Sequence, residues 1–210
     1  SNIYLHVLDT VWIQRHAHLG VLVRYADDFV VMCDTNAACE QAEQRVRETL
    51  VRLGLELHPE KTRRVDLSRG AAGFDFLGCH VRKRMSGPIW ERRHQRVYYL
   101  QRWPSQRAMH RIRQRVKALT PRAVCHRDLR ETIAQLNPVL RGWGAYFRTG
   151  NAAIKFGQVD DYVNWRLRRL LVKRHGRHLR AGQATQWTGD FFHALGLHRL
   201  RGTIRYPVAA

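Results

Sequence analysis

Apolar residues near the start of the chain recur at helical spacing, which predicts that the chain opens in an α-helix. They are Ile3, Tyr4, Val7, Leu8, Val11 and Trp12. Two β-rich runs follow at residues 21–25 and 29–33, and the polar break Ala26-Asp27-Asp28 between them predicts a hairpin turn. A second helix is then predicted from a cap at Asp34 or Thr35 to a stop at Gly54.

The apolar pattern changes along the rest of the chain from strand-like to helical. Residues 74–77 predict a strand, residues 82–96 a basic connection, and residues 97–100 a short strand. Beyond them the period is that of a helix, and three helices are predicted, the second broken or kinked at Pro138 and the third ending near Gly176. The sequence therefore predicts an α+β fold, with a mixed domain over residues 1–82 and an all-α basic domain over residues 83–210.

Charge divides the chain in a similar way. Residues 1–60 contain five arginines, no lysine and nine acidic residues, whereas residues 61–210 contain 32 basic and eight acidic residues. The whole chain has a formal net charge of +20, so a polyanionic partner is expected. Six Trp, seven Tyr and seven Phe accompany this charge, which argues against a simple disordered polycation.

The cysteine pattern and the hydropathy profile indicate the cellular setting. Cys33, Cys39, Cys79 and Cys125 include no Cys-x-x-Cys pair and are predicted to be reduced thiols. No apolar run approaches the ~20 residues of a membrane span. Without a signal peptide or membrane segment, a bacterial-type cytoplasmic protein with no membrane partner is expected. The first residues, Ser1-Asn2-Ile3, are interpreted as the middle of a longer protein.

The adjacent carboxylates of Asp27 and Asp28 are the sharpest chemical signal. Two like charges at a hairpin tip repel each other, and a divalent cation removes that penalty. Mg²⁺ prefers oxygen ligands from carboxylates and substrate phosphates, and two such ions can stabilise the attacking and leaving oxygens of nucleotidyl transfer. The alternative is that an Asp-Asp pair is only favourable turn chemistry. The flanking Tyr25-Ala26 and the two β-rich runs favour the metal site.

The chain resembles group II intron-encoded reverse transcriptases. Segments that match the family follow one another in the family's order: residues 1–6 with 8–9, 24–29, 54–62, 73–78, 137–143 with 146–148, and 161–163 with 166–169. The segment Arg24-Tyr25-Ala26-Asp27-Asp28-Phe29 resembles the catalytic hairpin. The resemblance implies the end of a polymerase palm followed by a thumb and maturase domain.

The resemblance also implies roles for the matched residues. Asp27 and Asp28 correspond to catalytic carboxylates that bind two Mg²⁺ ions, with Asp27 the more direct ligand. Tyr25 and Ala26 would lie near the primer end and the incoming nucleotide. Lys61 would lie near the phosphates, with a solvated surface lysine as the alternative, and Gly78 would approach the primer strand. The implied activity is RNA-directed DNA polymerisation from deoxynucleotides on an RNA template and DNA primer.

Parts of the family's polymerase have no match in the chain, namely a third metal-binding carboxylate, the fingers and the Gln-Gly segment, all of which precede the matched segments in family order. The family's site needs a third carboxylate from a strand that precedes, in family order, the segments matched here. Asp9 is the only earlier acidic residue, and it matches a different segment, on the opening helix. The chain by itself is therefore expected to lack a complete active site. No Cys-rich or His-rich endonuclease segment is recognised after residue 197.

The basic half combines arginines with aromatic residues, a pattern typical of nucleic-acid binding, because guanidinium groups bind phosphates and aromatic rings stack on unpaired bases. The predicted RNA-binding residues are Arg141, Tyr146, Arg148, Arg166, Arg168, Arg169, Lys173 and Arg174. Trp143 and Phe147 are predicted to be mainly core residues. A solvated helix face is the alternative for the arginines.

Three functions remain open from the sequence. The first is a fragment of an RNA-directed DNA polymerase that also binds intron RNA to assist splicing. The second is a non-catalytic RNA-binding splicing cofactor with a decayed palm. A generic basic nucleic-acid-binding protein would leave the ordered family segments unexplained.

Overall fold

The computed structural model describes residues 2–206 and confirms the α+β class. It divides into two compact units. The first comprises the described residues up to Leu77 together with Met85–Tyr98, and the second comprises Gly78–Arg84 together with the described residues from Tyr99 onward. None of the described helices is long and apolar enough to cross a membrane. All four cysteines are free thiols, of which Cys125 is buried.

The first unit is built around a helix, a hairpin and a second helix. Helix α1 (Asn2–Val11) continues into a π-helical turn and a short 3₁₀ turn, and strands β1 (Val21–Tyr25) and β2 (Asp28–Met32) form an antiparallel hairpin. Helix α2 (Asn36–Arg52) is capped by Thr35, whose hydroxyl accepts a hydrogen bond from the amide of Ala38 at 3.1 Å. The predicted opening helix, the hairpin and the second helix are confirmed.

The core of the first unit joins these elements. Its buried residues are Leu5, Leu8, Trp12, Leu19, Ala42, Val46 and Leu50. Alternate residues of the hairpin, Leu22, Phe29 and Val31, pack against this core. One face of the hairpin is therefore fixed by apolar contacts, and the register of its strands is set with it.

The segment after α2 differs from the sequence-based prediction. Strand β3 spans Gly73–Phe76, so Leu77, expected in the strand, instead lies in the following turn with φ +48°. The basic connection predicted over residues 82–96 is wrong, because strand β4 (Cys79–Met85) and helix α3 (Gly87–Arg93) occupy most of it. Strand β5 (Tyr98–Pro104) is longer than predicted, and the three strands have the order β3-β4-β5. The basic side chains of β4 hid the alternation of apolar and polar residues by which a strand is recognised in a sequence.

Four α-helices form most of the second unit. They are α4 (Gln106–Leu119), α5 (Leu129–Phe147), α6 (Ala153–His175) and α7 (Gly189–Ala194). Ser105, Asp128 and Thr188 cap α4, α5 and α7 with side-chain oxygens. Of the break or kink predicted at Pro138, the break is wrong, because α5 runs through that residue. Its apolar face, with Leu136 and Leu140 fully buried, keeps the helix packed on both sides of the proline.

Helix α6 supplies the centre of the second core. Phe156, Val159, Val163 and Leu167 are fully buried on it, and it contacts both α4 and α7. Trp143 is half-buried and packs against this core, with its ring 5.4 Å from that of Phe156, and Phe147 is buried. Both are core residues, as predicted.

The segment that follows α7 also belongs to this core, which the sequence did not indicate. Leu200 is fully buried, and a Cβ atom at Gly144 would lie 2.6 Å from its Cδ2 atom. The carboxylate of Asp160 accepts hydrogen bonds from the amides of Leu200 at 3.0 Å and Arg201 at 2.8 Å. Burial raises the pKa of Asp160, while these two hydrogen bonds act in the opposite direction.

Replacement of Asp160 tests how strongly this contact holds the C-terminal segment on α6. Asp160→Ala leaves one buried and one partly buried amide without an acceptor, and is expected to lower the free energy of unfolding by about 2–4 kcal/mol. Asp160→Asn retains one carbonyl acceptor and is expected to cost about half as much. Urea unfolding followed by circular dichroism measures both. Equal stability of the wild type and Asp160→Ala would show that the segment is held by its apolar contacts instead.

Candidate catalytic hairpin and cationic cleft

The predicted catalytic carboxylates lie at the tip of the β1–β2 hairpin. The turn consists of Ala26 and Asp27, while Asp28 is already the first residue of β2 and pairs with Tyr25. The predicted three-residue break is therefore one residue too long. Both aspartates are exposed, and Tyr25 is exposed beside them.

The backbone of Ala26 is unusual for a residue with a side chain. Its φ is +54°, in the left-handed region that costs a non-glycine residue about 1 kcal/mol or more. A positive φ at the first loop residue is typical of the primed turns that match the twist of paired strands. The guanidinium of Arg24 donates a hydrogen bond from Nη1 to the carbonyl oxygen of Ala26 at 2.7 Å. This contact helps to hold the strained turn.

Arg24 is itself held by the carboxylate of Asp9 on α1. Its Nε atom donates to Oδ1 at 2.8 Å and to Oδ2 at 3.1 Å, and its Nη2 atom also donates to Oδ2. The hydrogen bond from Arg24 lowers the pKa of Asp9, which stays ionised at neutral pH. The ion pair thus links α1 to the hairpin turn. Because Asp9 is engaged in this way, its role is that of a positioning residue.

The donors at the hairpin tip suit a hard cation only in part. Asp27 and Asp28 provide adjacent exposed carboxylates, and carboxylate oxygens are the ligands that Mg²⁺ prefers. Among the described residues, however, no group of three or more His, Cys, Asp or Glu side chains could hold a metal ion. The two aspartates can therefore contribute ligands to a metal site without completing one.

The other residues predicted near the primer and nucleotide are less closely gathered. Lys61 is exposed in a turn in which the amides of Lys61 and Thr62 both donate to the carbonyl oxygen of His58. Within residues 2–206, no hydrogen bond or ion pair joins Lys61 to either aspartate. Gly78 belongs to the second unit and has φ +74°, which favours glycine in the turn before β4. Their predicted roles stay predictions.

Three of the predicted RNA-binding arginines have partners within the second unit. Arg166 donates to the hydroxyl of Thr120 at 2.9 Å and to the carbonyl oxygen of the same residue. Arg168 donates twice to the carbonyl oxygen of Trp187, at 3.1 and 2.9 Å. Arg174 donates to the carbonyl oxygens of Cys125 and Arg127. The alternative of a simply solvated helix face therefore does not hold for these three arginines, because they also tie α6 to neighbouring segments.

Four of the eight predicted residues line one cleft in the second unit. The cleft has a volume of about 740 Å³ and lies along the C-terminal half of α6 and the end of α4. Its lining residues are Lys117, Thr120, Pro121, Arg122, Trp165, Arg166, Arg168, Arg169, Leu170, Val172, Lys173 and Gly176. Six of these are cationic and none is acidic. We call this site the cationic cleft.

The remaining predicted RNA-binding residues do not line this cleft. Arg141, Tyr146 and Arg148 are exposed on or just after the C-terminal half of α5, and Arg174 bonds the segment between α4 and α5. The ring of Tyr146 packs edge-on against Phe147, with ring centres 4.8 Å apart. The predicted residues thus occupy more than one surface of the second unit, and their contacts with RNA stay predictions.

Sequence analysis missed several residues of these sites. Lys117 and Arg122 join the cleft from outside α6, and only the packing of α4 and of the 3₁₀ turn after it against α6 brings them there. Trp165 could have been found, because it falls off the apolar stripe of Val163, Leu167 and Leu170 and so predicts an aromatic ring on the polar face. The ion pair of Asp9 with Arg24 had no signal in the sequence.

Comparison with known protein families accounts for both parts of the chain. The family described as reverse transcriptase (RNA-dependent DNA polymerase) matches residues 1–81. The family described as group II intron, maturase-specific domain, matches residues 109–187. No curated protein matches the chain. The first match contains the aspartate hairpin, and the second contains the whole of α5 and α6 and every residue that lines the cationic cleft. The protein therefore belongs to the group II intron reverse transcriptase/maturase family.

Proposed function

We propose that the chain supplies the catalytic hairpin of an RNA-directed DNA polymerase together with a surface that binds intron RNA during splicing. The observation that carries the proposal is the separation of two kinds of site. Exposed carboxylates lie at the hairpin tip of the first unit, and six cationic side chains line a cleft in the second. The first arrangement suits metal-assisted nucleotidyl transfer, and the second suits phosphate binding.

The hairpin contributes to catalysis by placing its carboxylates. Asp27 and Asp28 would bind Mg²⁺, and the bound metal would stabilise the charge that develops on the phosphate during transfer. Arg24 is held by its ion pair with Asp9 and donates a hydrogen bond to the carbonyl oxygen of Ala26. These contacts keep the turn in a fixed conformation. Tyr25 is exposed beside the turn, where it would contact the primer end or the incoming nucleotide.

The cationic cleft supports an RNA-binding role because its charge is not offset locally. Lys117, Arg122 and Lys173 have no side-chain hydrogen bond or ion pair within the part of the chain that the structure describes. A phosphate backbone would supply the missing negative charge and release its own counterions. The proposed partners are intron RNA and, for the polymerase, an RNA template, a DNA primer and deoxynucleotides.

A non-catalytic splicing cofactor with a decayed palm is the second candidate function. In that case the exposed carboxylates of Asp27 and Asp28 would hold no catalytic metal. The retained aspartate pair and its positioning contacts favour the polymerase. The two functions differ in whether an Asp-bearing apolar strand and a Gln-Gly segment are encoded upstream and in frame. A protein extended by both is expected to copy RNA.

The first prediction concerns polymerase activity of the 210-residue chain. With Mg²⁺, an RNA template and a DNA primer, it is expected not to extend the primer above the background of the double variant Asp27→Asn, Asp28→Asn. The reason is the incomplete set of metal ligands at the hairpin. Primer extension followed by gel electrophoresis measures this. Template-dependent extension that the double variant abolishes would show that these two carboxylates suffice.

In a protein extended by the upstream strand, Asp27→Ala is expected to abolish primer extension and to leave RNA affinity within about twofold. The carboxylate acts through the metal, whereas RNA affinity comes from the basic unit. Extension assays and fluorescence anisotropy on the same preparations measure the two properties. Parallel loss of both would instead give the hairpin a structural role.

A further prediction concerns the salt dependence of RNA binding. The triple variant Lys117→Gln, Arg122→Gln, Lys173→Gln removes three cleft cations that have no structural hydrogen bond. Each lost phosphate contact is expected to reduce the slope of log affinity against log salt by about 0.7 on single strands, so the slope falls by about 2 in total. Fluorescence anisotropy with a labelled single-stranded RNA over a series of salt concentrations measures it.

The matched control removes the same charge from the first unit. Arg52→Gln, Arg63→Gln, Arg69→Gln alters three exposed arginines outside the cleft. This variant is expected to keep the wild-type slope, and circular dichroism checks that both variants are folded. An equal reduction of the slope in both variants would mean that RNA affinity depends on the net charge of the protein and not on the cleft. An unchanged slope in both would mean that these three cations do not contact RNA.

A further inference from the structure

Trp165 is an exposed aromatic residue on the wall of the cationic cleft. Its side chain is 46% exposed, whereas Val163 and Leu167, which lie close to it in sequence and belong to the apolar stripe of α6, are fully buried. The residue therefore contributes little to the core. A large planar ring beside a cluster of cations is typical of surfaces on which bases stack.

Planar groups extend from Trp165 in both directions along α6. The ring of Tyr162 is stacked near it, with centres 5.7 Å apart and planes at 30°. The guanidinium carbon of Arg169 lies 4.8 Å from the centre of the Trp165 ring, and that of Arg166 lies 5.9 Å away. Arg166 is fixed by its hydrogen bonds to Thr120, so part of this stack is already ordered.

Arg169 differs from Arg166 in having no hydrogen-bond partner. Within residues 2–206, its guanidinium makes no side-chain hydrogen bond or ion pair and rests on the indole ring. Its donors are therefore available to a ligand that also needs a flat surface. Guanidinium planes and indole rings both accept stacked bases, because each offers a flat, polarisable face.

The cleft around this stack has the size and charge for a nucleotide. Its volume of about 740 Å³ lies within the range of about 300–1,000 Å³ that is typical of ligand pockets. Lys117, Arg122 and Lys173 line the same cleft as Trp165 and Arg169, and no lining residue is acidic. A base on the stack would therefore have its flanking phosphates near these three positive charges.

We propose that Trp165 and Arg169 form a platform for one unpaired base of RNA, with its flanking phosphates bound by Lys117, Arg122 and Lys173. The inference rests on the proposed RNA-binding function. It adds that the cleft selects RNA that contains an unpaired base. A base within a continuous duplex has both faces covered by its neighbours, so only a bulged, looped or single-stranded base can reach the platform. An acidic peptide would satisfy the cations but leave the indole face unused.

The test compares two RNA hairpins that differ by a single bulged adenosine, using the full 210-residue chain. The wild type is expected to bind the bulged hairpin at least about fivefold more tightly, the lower end of the stacking energy of one base. Trp165→Ala is expected to abolish this preference, leaving affinity for the fully paired hairpin within about twofold. Trp165→Phe retains a ring and is expected to retain most of the preference.

A second readout reports stacking directly. With 2-aminopurine in place of the bulged adenosine, binding of the wild type is expected to quench its fluorescence, and binding of Trp165→Ala is not. The matched control is Trp90→Ala, since Trp90 is also partly exposed and has the guanidinium of Arg96 at 5.7 Å, but lies in the first unit. This variant is expected to behave as the wild type in both assays.

The outcomes separate this inference from the proposed function. If the wild type binds neither hairpin at low salt, the proposed RNA-binding function is wrong. If it binds both equally and Trp165→Ala changes neither affinity nor quenching, RNA binding stands and the base platform is wrong. Binding of polyglutamate that is weakened by Trp165→Ala, without any preference for the bulged RNA, would overturn the platform in favour of an acidic protein partner.

Discussion

The second unit depends on the burial of one face of α6. Phe156, Val159, Val163 and Leu167 are fully buried on this face, and α4 and α7 both contact the helix. Burying a large apolar side chain stabilises a fold by roughly 1.5–3 kcal/mol, which helps a strongly basic unit to fold despite repulsion among its charges. The orientation of every basic residue on the helix follows from this face.

Basic residues on α6 fall into two groups according to their neighbours. Arg166, Arg168 and Arg174 reach carbonyl oxygens of adjacent segments and satisfy backbone acceptors there. Arg169 and Lys173 lie in the cleft without such partners in the described part of the chain. A guanidinium provides several donors in a fixed plane, so it serves well as a structural clamp, and the unbonded cations are left for a ligand. A single helix thus both stabilises the unit and presents its charge.

In the first unit, the main electrostatic constraint is the placement of two negative charges, Asp27 and Asp28, side by side at the hairpin tip. The Asp9–Arg24 ion pair connects α1 to the hairpin, and Arg24 also bonds the carbonyl oxygen of Ala26 in the strained turn. Asp27 and Asp28 remain exposed and form no ion pair within residues 2–206. In the proposed function, bound metal balances their charge. The family match over residues 1–81 agrees with this arrangement.

Local sequence signals determined the α+β class, the hairpin with its aspartate pair and the three long helices, because these depend on the spacing of apolar residues and on caps within a few positions. The sequence also determined the family through its ordered motifs. Tertiary structure decided the continuity of α5 through Pro138, the burial of Leu200 against α5 and α6, and the path of β4 and α3. It also decided which arginines make structural hydrogen bonds, and it brought Lys117 and Arg122 into the cleft that α6 lines. These features depend on contacts between residues far apart in the chain, and apolar spacing along the chain carries no information about them.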